Sequence, residues 1–458
     1  MTGLVSCLFI IAQTFITLDQ ALEIALGENV SVKVADKEIE RTEYAKRGTY
    51  AALFPQLDGS ANFQRTIEKQ VMYMDFDMSS ITGGAGAGGT GDGGSSSGTD
   101  TPSKGNDGME VGRWNTFSAG LTASMPLINA QLWESIRISG QDVELAVEKA
   151  RSSRLEMVSQ VKNAFYSVLL AKETASVYRE VYDNAVANYE KTKMKYDAQK
   201  ASDLELARSA TTLANAVPNM YDAANAVAVA LWQLKAVMGV DLEEDIDVAG
   251  ELLDYSADMT SLYTEDELNL DGNSALKQLA IQAEQLASSV RAQQYAYLPS
   301  LAVAFTYNYN AMANDFEFSQ YRWTPYSYVA LSLNIPIFSG GKRYNNVKAA
   351  KVQASELELQ KVNTERQLKI AIRQSLNTMD AAIHSFDAAK TALESAQKAY
   401  DITAESYAVG SSTLTDLNDA QLALVQARMT SAQSVYSYLS AKTSLEQTIG
   451  IDYTSENK

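Results

Sequence analysis

Residues 129 to 198 contain no proline, and Gly140 is the only glycine among them. Apolar or small residues recur there at alternating steps of three and four. From Val161 they run Ala164, Val168, Ala171, Ala175, Tyr178, Tyr182, Ala185, Tyr189, Thr192 and Tyr196. A mean spacing of 3.5 keeps one seam of a helix facing a partner and imposes left-handed coiled-coil packing. The frequent alanines let helix axes approach closely. At about 1.5 Å per residue the run extends on the order of 100 Å, more than a compact domain needs.

The pattern occurs twice. A second seam runs Ile372, Leu376, Met379, Ile383, Phe386, Ala389, Leu393, Ala396, Tyr400, Thr403 and Tyr407. Around it the chain repeats itself at a spacing of about 210 residues, which a search for internal repeats brings out. LTASMPLINAQ pairs with LSLNIPIFSGG, so Pro126 answers Pro336; ALFPQL with Pro55 answers AYLPSL with Pro299; LKAVMGVD answers LEQTIGID. Ser202-Asp203-Leu204 is matched to Thr415-Asp416-Leu417. Each half reads helix, strand, strand, long helix, hairpin tip, helix. The chain therefore divides into an export signal (1–16), a first repeat (17–240), a linker (241–271), a second repeat (272–452) and a tail (453–458).

The segments between the helices alternate with a period of two. LAVAFTYNYN puts Leu301, Val303, Phe305, Tyr307 and Tyr309 on one face. Phe117 to Met125, Val329 to Ile337 and, more weakly, Leu57 to Phe63 behave likewise. Alternation over about ten residues suits either a soluble antiparallel sheet or the strands of an outer-membrane barrel. Trp114, Tyr295, Tyr297, Tyr321 and Trp323 lie near the strand ends, where an interfacial girdle belongs. Four strands do not close a barrel, and an open edge does not survive in lipid. A membrane role requires chains to pool their strands; three would give twelve. Pro55 and Pro126 are 71 residues apart but Pro299 and Pro336 only 37, and the excess falls on the Gly/Ser-rich run 79–108, a flexible loop by composition. It lacks the Lys-Ser/Thr of a phosphate loop.

Composition excludes several functions. The formal net charge of -18 speaks against nucleic acid. The single cysteine, Cys7, lies in the apolar opening MTGLVSCLFIIAQTF, which reads as a short export signal. Leu4-Val5-Ser6-Cys7 also has the form of a lipobox, making Cys7 a candidate for lipidation. The single histidine, His384, sits mid-helix with no partner at metal spacing, so it reads as a surface residue. No catalytic triad, cofactor motif or metal cluster is legible, and no enzyme is expected.

In YAVGSSTLTDLNDAQ a helix stops at Gly410 and restarts near Thr413, then sets Asp416 and Asp419 three apart on one face. Thr413-x-x-Asp416 has the form of a capping box, which alone accounts for Asp416. Asp419 lies too deep for the cap. The first tip, KYDAQKASDLELARS, has Ser202-x-x-Glu205 but no glycine, and the repeat match sets Leu206 against Asp419.

The order of these elements resembles the TolC-like outer-membrane efflux proteins from about Thr17 to Asp452. It is carried by the opening ITLDQALEIALGENV, the proline-terminated strands, the YAVGSSTLTDLNDAQLALVQAR hairpin and the closing LEQTIGID. The resemblance implies a fold of α-helices plus a transmembrane β-barrel: a homotrimer with a twelve-stranded barrel in the lipid of a Gram-negative outer membrane and a coiled-coil helical tunnel in the periplasm. It implies a passive exit duct of a tripartite efflux or type I secretion system, docked to a periplasmic adaptor protein and an inner-membrane pump, proton-driven or ABC type. It makes Asp416 and Asp419 rings of carboxylates at the periplasmic gate, and Gly410, Ser411, Thr413, Ser202 and Asp203 tip residues that meet the adaptor. The rival reading is a trimeric coiled-coil surface protein with no conduit.

Overall fold

The computed structural model describes residues 14–72, 109–260 and 268–453. Cys7, the Gly/Ser-rich run 79–108, and most of the expected signal and tail lie outside them. The described residues form two compact units. One comprises residues up to 47, 134–294 and from 341 onward; the other comprises 48–133 and 295–340.

The helices repeat almost to the residue. Helices α1 (Leu18–Glu28) and α2 (Val30–Ala51) open the chain, then α3 (Ala130–Asp197) and α4 (Asp203–Met238) follow. The second half has α5 (Ser274–Tyr295), α6 (Lys342–Val409) and α7 (Leu414–Ile449). The long helices α3 and α6 are both 68 residues, α4 and α7 both 36, and α2 and α5 both 22. Equal lengths, offset by about 210 residues for α3/α6 and α4/α7 and by 244 for α2/α5, which lie upstream of the longer first-half loop, are what an internal duplication leaves behind.

The helical unit has its main core where the sequence packs its largest apolar residues. Val161, Phe165 and Val168 of α3 are fully buried, as are Ala21, Leu22 and Ala25 of α1, Leu234 and Met238 of α4, and Val435, Tyr438 and Leu445 of α7. Burying each large side chain is worth about 1.5–3 kcal/mol against leaving it in water. Two three-residue strands, β1 (Thr14–Ile16) and β6 (Ile246–Val248), pair in parallel beside this core and bury Ile16, Ile246 and Val248. The pair was not foreseen: β1 overlaps the stretch assigned to the export signal, and β6 lies in the expected linker. Arg151 ties the C-terminal residues to α3. Its guanidinium donates to Asp452, Glu148 and the carbonyls of Gly272 and Gly450. His384 is exposed, with Nε2 3.8 Å from Asp380.

The second unit is an antiparallel sheet in the order β2-β5-β7-β8: β2 (Gln56–Arg65), β5 (Asn115–Ile128), β7 (Ser300–Ala313) and β8 (Thr324–Asn334). Two short strands not legible in the sequence, β3 (Gln70–Met72) and β4 (Met109–Val111), pair separately. The register Ala61↔Ala119↔Tyr309↔Pro325 and its neighbours collect Phe63, Phe117, Leu121, Val303, Phe305, Tyr307, Val329 and Leu331 on one face. The other face carries Ser60, Asn62, Thr122, Thr306, Asn308 and Asn310. The apolar face is solvated in the single chain: Val329 is 71% exposed and Leu331 66%. Among the described residues neither β2 nor β8 has an outer partner, so both sheet edges are open there. Ile335 and Ile337, expected in the last strand, fall beyond Asn334; Pro336 has no N–H to give a ladder.

On the polar face Gly120 is required by a neighbour. A Cβ there would come within 1.9 Å of Asn308 Oδ1 and 2.8 Å of the Tyr307 carbonyl. The missing side chain lets Asn308 lie across β5 while its Nδ2 donates to the Tyr326 hydroxyl at 3.0 Å.

Candidate functional site

The two helical hairpins end in tips built by the same cap chemistry on different turns. At the second tip α6 closes on Gly410, in the left-handed region at φ 84°, with Ser411 N donating to the Ser406 carbonyl at 2.9 Å. At the first, Gln199 takes that role at φ 56°, a conformation that costs an ordinary L-residue about 1–2 kcal/mol. Lys200 N donates to the Lys195 carbonyl at 2.7 Å in the equivalent closure. Both following helices open with a full capping box, Ser202 with Glu205 and Thr413 with Asp416.

The caps correct the register of the repeat. Ser202 corresponds to Thr413, not Thr415, so Glu205 answers Asp416 and Arg208, rather than Leu206, answers Asp419. The two-residue slip arose because Asp203-Leu204 and Asp416-Leu417 look alike in sequence; the observed N-caps, Ser202 and Thr413, put Asp203 first and Asp416 third in its helix. The tips thus differ in charge: acid stands on the second where base stands on the first.

Asp416 is engaged through one oxygen. Its Oδ2 accepts from Thr413 N at 2.9 Å, Thr413 Oγ1 at 2.7 Å and Ser412 Oγ at 3.2 Å. The Thr413 hydroxyl, then its backbone N–H, then Ser412 hold the Asp416 carboxyl below the ordinary aspartate range. Asp416 therefore keeps its charge to lower pH than an unpartnered aspartate does. Asp419 is exposed one turn further on. Gly410, Ser411, Thr413, Ser202 and Asp203 are all exposed at the two turns. Asp203 also accepts a hydrogen bond from the Tyr196 hydroxyl, which raises that phenol above its usual range.

Behind the tips the hairpins are joined through Tyr407 of α6. Its hydroxyl lies 2.9 Å from Thr192 Oγ1 of α3, in a buried contact. Thr192 already donates its one proton to the Asn188 carbonyl at 2.8 Å, so Tyr407 is the donor. Lys195 Nζ stands 4.7 Å from the centroid of the Tyr407 ring and donates to its carbonyl at 3.3 Å. Tyr407, Leu414 and Leu417 form a small core of their own, with Tyr400 and Ala404 against it. Asn418 Nδ2 meets Thr212 Oγ1 at 3.4 Å between α7 and α4, and Arg428 of α7 pairs with Glu180 of α3. Thr192 and Tyr407 were legible as seam positions; their meeting was not, nor were Lys195, Arg428 and Glu180.

No group of acidic, histidine or cysteine side chains able to hold a metal occurs among the described residues, and none of the described helices is long and apolar enough to cross a membrane.

Comparison with known proteins bears on the whole chain. The outer membrane efflux protein family model matches residues 21–240 and 267–451, one stretch in each half of the duplication. The outer membrane protein TolC of Escherichia coli (strain K12) is 24% identical over 352 residues, 73% of this chain and 70% of that protein. The Campylobacter jejuni CmeC outer membrane channel superposes with a TM-score of 0.71 at 20% identity, covering 96% of this chain and 88% of the other. VceC, an outer membrane protein of Vibrio cholerae, gives 0.71 at 14% identity over 94% and 96%. TolC-like channels are trimeric transport proteins rather than enzymes, which decides against a conduit-free stalk. The paired long helices, the four-stranded sheet and the two-part family match make this chain a member of the outer membrane efflux protein family, the TolC-like efflux channels of the Gram-negative outer membrane.

Proposed function

We propose that three copies of this chain form a passive exit duct, gated at the periplasmic helix tips by the second hairpin. The observation that carries the reading is the sheet. It has one apolar face, one polar face and two open edges. In lipid such a sheet is tenable only when β8 of one copy pairs with β2 of the next, and three copies then close a twelve-stranded barrel with its polar face inward. The organisation we infer is two repeats, 17–240 and 272–452, joined by 241–271.

At the tips, three-fold symmetry would turn Asp416 and Asp419 into rings of three carboxylates. Such rings favour cations, bind divalent ions and press apart by repulsion. The Tyr407 contact to Thr192 and Lys195 opposes that repulsion, so the gate is a balance between charge and a few hydrogen bonds. The exposed turns at Ser202–Asp203 and Gly410–Thr413 offer backbone and hydroxyl groups to a periplasmic adaptor, which would couple the duct to an inner-membrane pump.

The test is single-channel conductance of the purified protein in a planar bilayer, for the natural chain and for Asp416→Ala/Asp419→Ala. A cation-selective conductance, blocked by divalent cations and freed of that block in the double variant, is expected. A conductance indifferent to both substitutions would reduce Asp416 to helix capping and Asp419 to a solvated surface residue. Absence of conductance from inserted, folded protein would overturn the duct.

A further inference from the structure

Between the C-terminal turns of α3 and α6, beside Tyr407, lies a cavity of about 440 Å³. Its size is that of a small-molecule site, and it combines apolar walls with a few convergent polar groups. Met194, Tyr400, Tyr407 and Leu417 give it an apolar side. Lys191, Lys195 and Lys200 supply cations, and Asn184 and Asn188 supply amides. None of the thirteen lining residues is acidic, although the whole chain carries 56 acids against 38 lysines and arginines. A basic pocket in so acidic a chain selects an anion against the field of the rest of the molecule. Lys195 is engaged with Tyr407, whereas Lys191 and Lys200 are exposed at the rim.

We propose that this pocket binds a small aromatic carboxylate. The ring lies against Met194 and the tyrosines, and the carboxylate is taken by Lys191 and Lys200 with the Asn188 amide. Because one wall is α3 and the other α6, an occupant braces the two hairpins together where Thr192 and Tyr407 already join them. This second step rests on the gate reading above; the binding itself does not.

The probe is 1-naphthoate, titrated into the full chain in detergent by calorimetry, with neutral 1-naphthylmethanol as the control. Naphthoate is expected to bind and the alcohol to bind much more weakly. Lys191→Gln and Lys200→Gln are each expected to weaken naphthoate about tenfold, as the loss of one charge-assisted hydrogen bond does. Ala408→Phe, which adds bulk at an exposed lining position, should abolish binding without disturbing the fold. Equal affinity for acid and alcohol, indifference to both lysine substitutions, or no binding would each overturn the proposal. So would tighter binding of an acidic peptide than of naphthoate, which would assign the pocket to a protein segment. In the bilayer, naphthoate on the tip side is expected to lower the open probability of the natural chain and not of Lys191→Gln/Lys200→Gln. A duct that conducts but ignores naphthoate refutes the brace alone, and a sample that binds naphthoate but never conducts refutes the duct alone.

Discussion

Replacing Tyr407 by Phe removes one hydroxyl and nothing else. In the natural chain that hydroxyl donates to Thr192 Oγ1 at 2.9 Å, at a threonine 1% exposed. Thr192 keeps its own proton on the Asn188 carbonyl, so the substitution orphans no donor. The loss is then that of one ordinary hydrogen bond, about 1 kcal/mol. If three copies must release together, the tips lose about 3 kcal/mol of closing free energy, roughly a hundredfold in the opening equilibrium. Thr192→Val is expected to do more. It leaves the Tyr407 proton facing a methyl group in a buried site, at about 1–3 kcal/mol per copy. The assay is open probability in planar bilayers under identical salt. The expected order is Thr192→Val, then Tyr407→Phe, then the natural chain. The double variant should resemble Tyr407→Phe, because the orphaned donor is gone. Open probability unchanged in Tyr407→Phe, or a double variant equal to the sum of the singles, would refute the latch.

Other perturbations have equally definite outcomes. Gly120→Ala drives a methyl group into Asn308 and should cost about 1–3 kcal/mol as overpacking does, read as a lower yield of heat-resistant trimer. Adding Asn308→Ala should restore only part of it, since the Tyr307 carbonyl remains in the way. Gln199→Gly relieves the left-handed residue of the first tip and should slow hydrogen exchange there, by up to about 1 kcal/mol. The Asp416 carboxyl titrates below its unfolded value, so its contribution to the start of α7 is present above the ordinary aspartate range and is lost as the pH falls through the lowered value. Protection of the Asp416 and Leu417 amides, measured against their intrinsic exchange rates, should fall as Asp416 is protonated, and Asp416→Asn should remove most of that pH dependence of protection.

Much of the architecture was legible because it is periodic. A step of 3.5 over some 70 residues admits little but a long coiled-coil helix, and alternation of two fixed the faces of β5 and β7. Signals shorter than a period were not legible. The strands β1 and β6 have three residues each, too few to alternate, and pair only because a core lies beneath them. At the tips the residue types of both caps were readable, but not the left-handed Gln199, since nothing in Ala-Gln-Lys asks for it. The contact between Thr192 and Tyr407 spans 215 positions and depends on which seam meets which. The one hint of the pocket was four lysines, at 191, 193, 195 and 200, in an otherwise acidic chain.

The open edges of the sheet have a genetic consequence. A chain that supplies one third of a wall is finished only by its neighbours, so a copy with a damaged β8 spoils a closed ring rather than merely removing itself. Where sound and damaged copies are made in equal amount and mix freely, only about one trimer in eight contains no damaged copy. Substitutions that block pairing at β2 or β8 should therefore be dominant over the natural allele, whereas substitutions that unfold the chain before assembly should be recessive.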